Sequence, residues 1–165
     1  MKPIDWIERV DALIARFEQV LLVVATGAIA AIMMAQVVLR YFFAAPLFWA
    51  EEIAAQLLVV ASLFGLALLL RERQWVAIDF LANALGPTAR RALAVALGLI
   101  TFAVLAVFAL LAWRWIGQPE VRIERAATTQ LPRWWNYAVL PVALVGMLWH
   151  QAVLIVKDLA GRSHP

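Results

Sequence analysis

Four long apolar stretches, separated by shorter polar segments, dominate the pattern of the chain. Each is long enough to cross the apolar core of a bilayer, which is roughly 30 Å thick and takes about 20 residues of helix. None alternates in polarity as a barrel strand must, and backbone groups in lipid need internal partners, so the stretches are predicted to be helices. The predicted spans cover about residues 18–39, 50–70, 91–113 and 134–156.

Two of the polar segments are amphipathic. Residues 1–16 carry apolar side chains at helical spacing with charged residues elsewhere around the turn, which predicts an interfacial helix, with a cleaved signal peptide as the alternative. Residues 74–86 predict a second interfacial helix, with a flexible loop as the alternative. The sequence therefore predicts an all-α integral membrane protein, with a single membrane domain over residues 1–165, four transmembrane helices and short interfacial helices.

Prolines and aromatic residues mark the ends of the spans. The first loop is aromatic and contains Pro46, which stops either neighbouring helix from continuing, so the first two spans are predicted to form an antiparallel hairpin. The polar third loop ends in Pro132, Trp134 and Trp135, which suits a helix that starts at the membrane interface. Pro141 predicts a kink near the outer end of the fourth span.

The basic residues are unevenly distributed among the polar segments. Nine Lys and Arg residues lie in the amino-terminal segment, the second loop and the carboxyl-terminal tail, and five lie in the first and third loops. Basic residues favour the cytoplasmic side of a membrane, so both termini are predicted to be cytoplasmic.

The composition supports a membrane location and excludes several functions. The chain is 65% hydrophobic and 15% charged, whereas a soluble domain is about half apolar and a quarter charged. It has no cysteine, and its net charge of +3 is spread among the loops, so neither a disulfide framework nor nucleic-acid binding is expected. The sequence holds no recognisable nucleophile–base pair, phosphate loop or metal cluster, so we expect neither an enzyme nor a cofactor.

Two ionisable residues lie within or beside the spans. His150 is in the fourth span, but a single histidine cannot supply both axial ligands of a b-type haem, which argues against a cytochrome-like anchor. Glu18 is at the edge of the first span. We therefore expect no buried cluster of charges. The alternative function is a small four-helix proton-coupled exporter, which would need a membrane glutamate at depth.

Glu51 and Glu52 open the second span. The dipole at a helix amino terminus favours negative charge, and Arg40 across the loop is expected to pair with one of the two acids. Adjacent residues point about 100° apart on a helix, so the acids do not form a shared catalytic dyad. We interpret Arg40, Trp49, Glu51 and Glu52 as a structural or partner-contact clasp on the outer face, with proton or ion coupling as the alternative.

Three motifs occur in a characteristic order. They are LRYFF, Pro46 and WAEEIA over residues 39–54, then RE followed by V-x-I-D-F over residues 71–80, and then LPRWWNY over residues 131–137. Together with the four spans, these motifs resemble the small, DctQ-type membrane subunit of tripartite ATP-independent periplasmic (TRAP) transporters. Trp75 stands where that family commonly has a histidine.

The resemblance implies a scaffold subunit in the bacterial inner membrane. Such a subunit braces a large elevator-type membrane subunit driven by sodium, and helps to dock a periplasmic binding protein that delivers an organic acid. Sodium is expected to bind the large subunit rather than this chain. Apart from its two protein partners, this chain is expected to contact membrane lipids. Partner-interface or structural roles are expected for Arg40, Trp49, Glu51, Glu52, Asp79, Arg122, Arg125, Pro132, Trp134 and Trp135.

Overall fold

The computed structural model describes residues 3–72 and 86–160, and these residues form a helical bundle. The helices are α1 (Pro3–Phe42), α2 (Ala50–Arg71), α3 (Pro87–Ile116), α4 (Pro119–Ile123), α5 (Trp134–Tyr137) and α6 (Val139–Leu159). The predicted second interfacial helix lies outside the described residues except for Gly86, and so does Asp79.

Four segments of the described chain are long and apolar enough to cross a membrane, which confirms the predicted all-α membrane fold. They are Asp5–Phe42, Ala50–Arg71, Thr88–Ile116 and Trp134–Leu159. The last of these combines α5 and α6, which are separated at Ala138. Pro141 follows one turn later, and because proline has no N–H it cannot donate a hydrogen bond to the Tyr137 carbonyl. The interruption therefore occurs close to Pro141, where the sequence predicts a kink.

The first helix is longer than a membrane is thick. α1 has 40 residues, which corresponds to a length of about 60 Å, about twice the thickness of the apolar core of a bilayer. Residues 1–16 were predicted to form an interfacial helix that leads into the first span, and from Pro3 onward they form one continuous helix with that span. α1 ends at Phe42, and Ala44 then adopts a φ of 50°, a conformation that usually favours glycine.

The order of helix packing places α1 and α3 on the outside of the bundle. α2 packs against α1 on one side and against α6 on the other, and α3 packs against α6. We call the end of the bundle that holds the start of α1 and the end of α6 the terminal end. The opposite end, with residues 43–49 and 117–138, is the loop end.

Small side chains line the contacts between the helices. Ala50, Ala54, Ala61 and Ala67 are all buried along α2, which allows neighbouring backbones to approach closely. Large apolar side chains such as Phe17, with 64% of its surface exposed, point outward, as is expected where lipid is the solvent. The central cluster consists of Ala67, Leu70, Ala112, Leu144 and Met147.

The contact between α3 and α6 depends on a glycine. Gln151 Nε2 donates a hydrogen bond of 3.0 Å to the Gly98 carbonyl oxygen. A Cβ atom at Gly98 would lie 3.1 Å from that nitrogen and 3.1 Å from Ile155 Cγ1. The missing side chain therefore lets α6 approach the backbone of α3.

Candidate functional site

Four charged or ionisable side chains meet between α1, α2 and α6 at the terminal end. The ring of His150 is completely buried, with Nδ1 2.6 Å from Asp11 Oδ1 and Nε2 3.0 Å from Glu18 Oε2. Arg71, the last residue of α2, donates from Nε to Asp11 Oδ2 over 2.8 Å. We call Asp11, Glu18, Arg71 and His150 the terminal-end network.

Helical spacing explains why these residues meet. Asp11 and Glu18 are seven residues apart on α1, so both lie on the same face of the helix. Gly146 precedes His150 by one helical turn and lies against Glu18, where an added Cβ atom would be 2.6 Å from Oε1 of the carboxylate. Gly146 therefore makes room for the carboxylate that binds the second nitrogen of the His150 ring.

The geometry sets the number of protons in the network. A neutral imidazole donates only one hydrogen bond, whereas both ring nitrogens of His150 lie within hydrogen-bonding distance of carboxylate oxygens. The two contacts therefore hold two protons, one in each hydrogen bond between a ring nitrogen and a carboxylate oxygen. With His150 as imidazolium, Arg71 and His150 balance the charges of Asp11 and Glu18, which is the condition under which buried charges are tolerated.

The expectation of no buried charge cluster was wrong. Asp11 and Glu18 are 3% and 2% exposed, respectively, although the sequence reading assigned Asp11 to an interfacial helix and Glu18 to the edge of a span. The seven-residue spacing of the two acids, together with an ionisable residue in the fourth span, was the available signal, since such residues are usually paired within a membrane. His150 was considered only as a haem ligand, so its acidic partners were missed.

The network lies at one end of a helical segment that is long enough to cross a membrane. From Glu18 to Phe42, α1 rises about 36 Å, which is slightly more than the roughly 30 Å of the apolar core. Two further contacts occur at this end. Lys157 Nζ lies 3.6 Å from Glu8 Oε1, and Arg91 on α3 donates to the carbonyl oxygens at the end of α6. Polar contacts therefore join all four spans at the terminal end.

At the loop end, the two adjacent glutamates have separate partners. Gln36 Nε2 donates to Glu51 Oε1 over 3.2 Å. Glu52 accepts a hydrogen bond of 2.7 Å from the backbone N–H of Thr128 and another from the Thr129 hydroxyl. Glu51 therefore joins α2 to α1, and Glu52 joins α2 to the third loop.

The third loop is folded back on itself between α4 and α5. The Arg133 guanidinium binds Glu124 Oε1 over 2.9 Å, and the Tyr137 hydroxyl donates to the same oxygen over 3.1 Å. Interaction with Tyr137, and then with Glu124, raises the pKa of Arg133 above its ordinary value, so this side chain is charged. At the tip, Arg125 donates to the Gln130 carbonyl oxygen over 3.1 Å.

Comparison with known protein families identifies the family of this chain. The model of the DctQ component of tripartite ATP-independent periplasmic transporters matches residues 29–161. This chain belongs to the DctQ family. Its family is one of membrane transporter components and not an enzyme family.

A curated relative supports the same assignment. The DctQ chain is 30% identical over 122 residues to the sialic acid TRAP transporter permease protein SiaT of Haemophilus influenzae (strain 86-028NP). The match covers 74% of the DctQ chain but only 20% of the relative, so this chain spans about a fifth of the relative's length.

The structure does not pair Arg40 with either acid of the expected clasp. Within the described part of this DctQ chain, Arg40 makes no hydrogen bond or ion pair with Glu51 or Glu52, so the expected pairing with Arg40 does not form. Arg40 is exposed, and Trp49, 43% exposed, is the residue that precedes α2. The two carboxylates bind α1 and the third loop instead.

The other predicted residues lie around the third loop. Pro132 forms an isolated β-bridge with Arg125, and Trp134 and Trp135 are each 47% exposed at the start of α5. Arg122 is exposed on α4. In the ranges that the structure describes, no three His, Asp or Glu side chains are arranged to hold a metal ion.

Proposed function

We propose that this chain is the scaffold subunit of a sodium-driven TRAP transporter for organic acids in the bacterial inner membrane. It braces a large elevator-type subunit, which binds the sodium, and it helps to dock a periplasmic binding protein. The family match supports the assembly with other transporter components. The name of the relative, a sialic acid permease, supports an organic acid as the class of substrate.

The observation that carries this proposal is the internal pairing of the buried charges. Asp11, Glu18, Arg71 and His150 satisfy one another and join three helices. A charge-balanced network of this kind favours one arrangement of the helices, because breaking it leaves an uncompensated buried charge. A subunit held in one arrangement suits the role of a static support for a partner that moves.

The interior cavity agrees with a support rather than a carrier. A cavity of about 280 Å³ lies between α2, α3 and α6. Its wall is formed by Leu66, Leu70, Ile100, Thr101, Val104, Leu105 and Met147. This wall has no cation to attract a carboxylate. The substrate site is proposed to lie on the large subunit.

The proposal is tested by uptake and by assembly. In a strain that lacks this chain but retains the other transporter components, uptake of a labelled organic acid should be lost and should return when the chain is supplied. The chain should copurify with the large subunit. Uptake that is unaffected by deletion, or a chain that fails to copurify, would contradict the scaffold role.

One observation favours the proton-coupled exporter as a second candidate. Glu18 is buried beside His150, so the bundle contains a buried glutamate, although this residue lies at the end of the membrane-crossing segment and not at the depth that the function needs. The two functions differ in what the purified chain does alone in vesicles. An exporter moves a cationic dye against a proton gradient without any partner, whereas a scaffold subunit moves neither the dye nor an organic acid.

The orientation of the chain is proposed from the distribution of its basic residues, with both termini in the cytoplasm. The third loop would then face the periplasm. A cysteine that replaces the exposed Thr128 in this cysteine-free chain should react with a membrane-impermeant maleimide in intact cells. Labelling only after the cells are broken would reverse the orientation.

The same loop is proposed to contact the binding protein through Arg125. The charge reversal Arg125→Glu should slow the association of the binding protein with the purified transporter, because exposed charges at the edge of an interface mainly affect association rates. Arg114→Glu, which makes the same charge change at the end of α3, is the control. Equal association rates for the two variants would exclude Arg125 from the docking surface.

A further inference from the structure

An open groove lies between the end of α3 and the start of α6 at the loop end. Its volume is about 640 Å³, which falls within the range of roughly 300–1,000 Å³ that is common for small-molecule sites. It is lined by Trp113, Ile116, Gly117, Arg122, Trp134, Ala138, Pro141 and Val142. We call it the loop-end groove.

The groove opens toward the surface that faces lipid. Trp113 and Val142 line it from two predicted spans and are 68% and 57% exposed, respectively. Trp134 lines it from the first turn of α5, and tryptophan side chains are enriched at the level of the lipid headgroups. The wall is apolar apart from a single guanidinium, so it is suited to a hydrocarbon chain.

Arg122 provides a positive charge at the groove. Its neighbours in the third loop are engaged elsewhere, since Arg125 binds the Gln130 carbonyl and Arg133 binds Glu124. Among the described residues, Arg122 has no ion-pair partner within 4.0 Å. A guanidinium matches the geometry and charge of a phosphate group.

We propose that the loop-end groove is a phospholipid site, in which one acyl chain lies along the apolar wall and the phosphate binds Arg122. Charge complementarity favours a phospholipid over a neutral lipid, and the lipid-facing opening favours it over a water-soluble anion. This proposal depends on the membrane location of α3 and α6 and not on the transported substrate. It gives Arg122 a role different from that of Arg125.

The site can be tested on the purified full-length chain by native mass spectrometry after delipidation and titration with phosphatidylglycerol. Arg122→Ala should weaken binding about tenfold or more, which corresponds to the loss of one hydrogen bond to a charged group. Arg114→Ala removes the same charge from the end of α3, outside the groove, and should leave binding unchanged. Diacylglycerol, which lacks the phosphate, should bind the unmodified chain as weakly as phosphatidylglycerol binds the Arg122→Ala variant.

A second pair of variants tests the apolar wall. Val142→Trp should fill the groove and remove bound phosphatidylglycerol, whereas Val145→Trp on the same helix should have no effect. Both positions are 57% exposed, and only Val142 lines the groove, so the two variants carry similar risks to folding. Glycerol phosphate, which has no acyl chains, should not bind detectably.

Three results would overturn the phospholipid site. They are equal loss of lipid in the Arg122→Ala and Arg114→Ala variants, unchanged lipid binding in Val142→Trp, and loss of copurification with the large subunit in Val142→Trp but not in Val145→Trp. The last result would make the groove a protein interface and would leave the scaffold role intact. Loss of uptake on deletion of the whole chain tests that role separately.

Discussion

Replacing His150 by phenylalanine should destabilise the bundle strongly. The ring of His150 is completely buried, and Phe fills a similar volume without donating a hydrogen bond. Asp11 would keep its ion pair with Arg71, 2.8 Å away, but Glu18 would lose the ring nitrogen that lies 3.0 Å from its carboxylate. One buried carboxylate would then lack a charged partner.

The expected loss of stability follows from this unpaired buried charge. Breaking a buried ion pair by removing one partner costs about 3–5 kcal/mol, because the remaining charge stays buried. Exposed pairs contribute far less, typically about 0.2–1 kcal/mol. Lys157→Ala, which removes a partly exposed pair with Glu8 at the same end of the bundle, is therefore a matched control with a small expected cost.

The free energy of unfolding can be measured by titrating a denaturing detergent into protein held in a mild one. Tryptophan fluorescence is a suitable signal, since Trp149 is adjacent to His150. The decisive comparison is the double variant His150→Phe with Glu18→Leu. Apolar replacement of a complete buried pair is often neutral or stabilising, so the double variant should be at least about 2 kcal/mol more stable than His150→Phe alone.

Two results would refute the reasoning from charge balance. A cost for His150→Phe no larger than that of Lys157→Ala would mean that the buried contacts contribute little. A double variant whose cost equals the sum of the two single variants would mean that His150 and Glu18 are not coupled.

Two further predictions concern close contacts at either end of the bundle. Gly146→Ala should lower the thermal midpoint of unfolding, because the new methyl group would lie 2.6 Å from a carboxylate oxygen of the terminal-end network. Gly27 has open space around it, so the control variant Gly27→Ala should be neutral or stabilising by up to about 1 kcal/mol. Equal midpoints for the two variants would contradict the steric argument. Glu52→Gln should speed hydrogen exchange at the Thr128 amide, because a neutral amide oxygen is a weaker acceptor than a carboxylate. Glu51→Gln, on the adjacent side chain, is the control, and the same exchange rate in both variants would show that Glu52 does not hold the loop.

The number and boundaries of the spans could be predicted from the sequence because the bilayer imposes them. A helix must be about 20 residues long and almost free of charge to cross the membrane. That requirement located α2 and α3 within a few residues of their observed limits. The sequence does not show whether the amphipathic residues 1–16 lie along the membrane surface or extend the first span in the same direction, because the apolar spacing is the same in both cases.

The orientation of each helix about its own axis was harder to predict. In water, the apolar face of a helix is the buried face, but in lipid both faces are apolar, so hydrophobicity does not distinguish them. On α1 the buried positions are Asp11, Ala15, Glu18, Ala25 and Gln36, while Phe17 is exposed. On this helix, small and polar residues mark the buried face, and large apolar residues mark the exposed face.

The long-range hydrogen-bond partners also could not be predicted from the sequence. Glu52 lies 76 residues from Thr128, and no local pattern links a helix start to a distant turn. The prediction of Arg40 as the partner rested on nearness along the chain and on opposite charge. Tertiary folding of the third loop provided closer donors for Glu52, and Gln36 provided one for Glu51.

The sequence separation within the terminal-end network also affects how the protein is made. His150 follows Asp11 by 139 residues and Glu18 by 132 residues, which corresponds to roughly 10 s of synthesis at typical rates. During that interval Arg71 is already available to Asp11, but Glu18 has no imidazole to bind. Insertion of α6 is therefore the step that completes the charge balance of the terminal-end network.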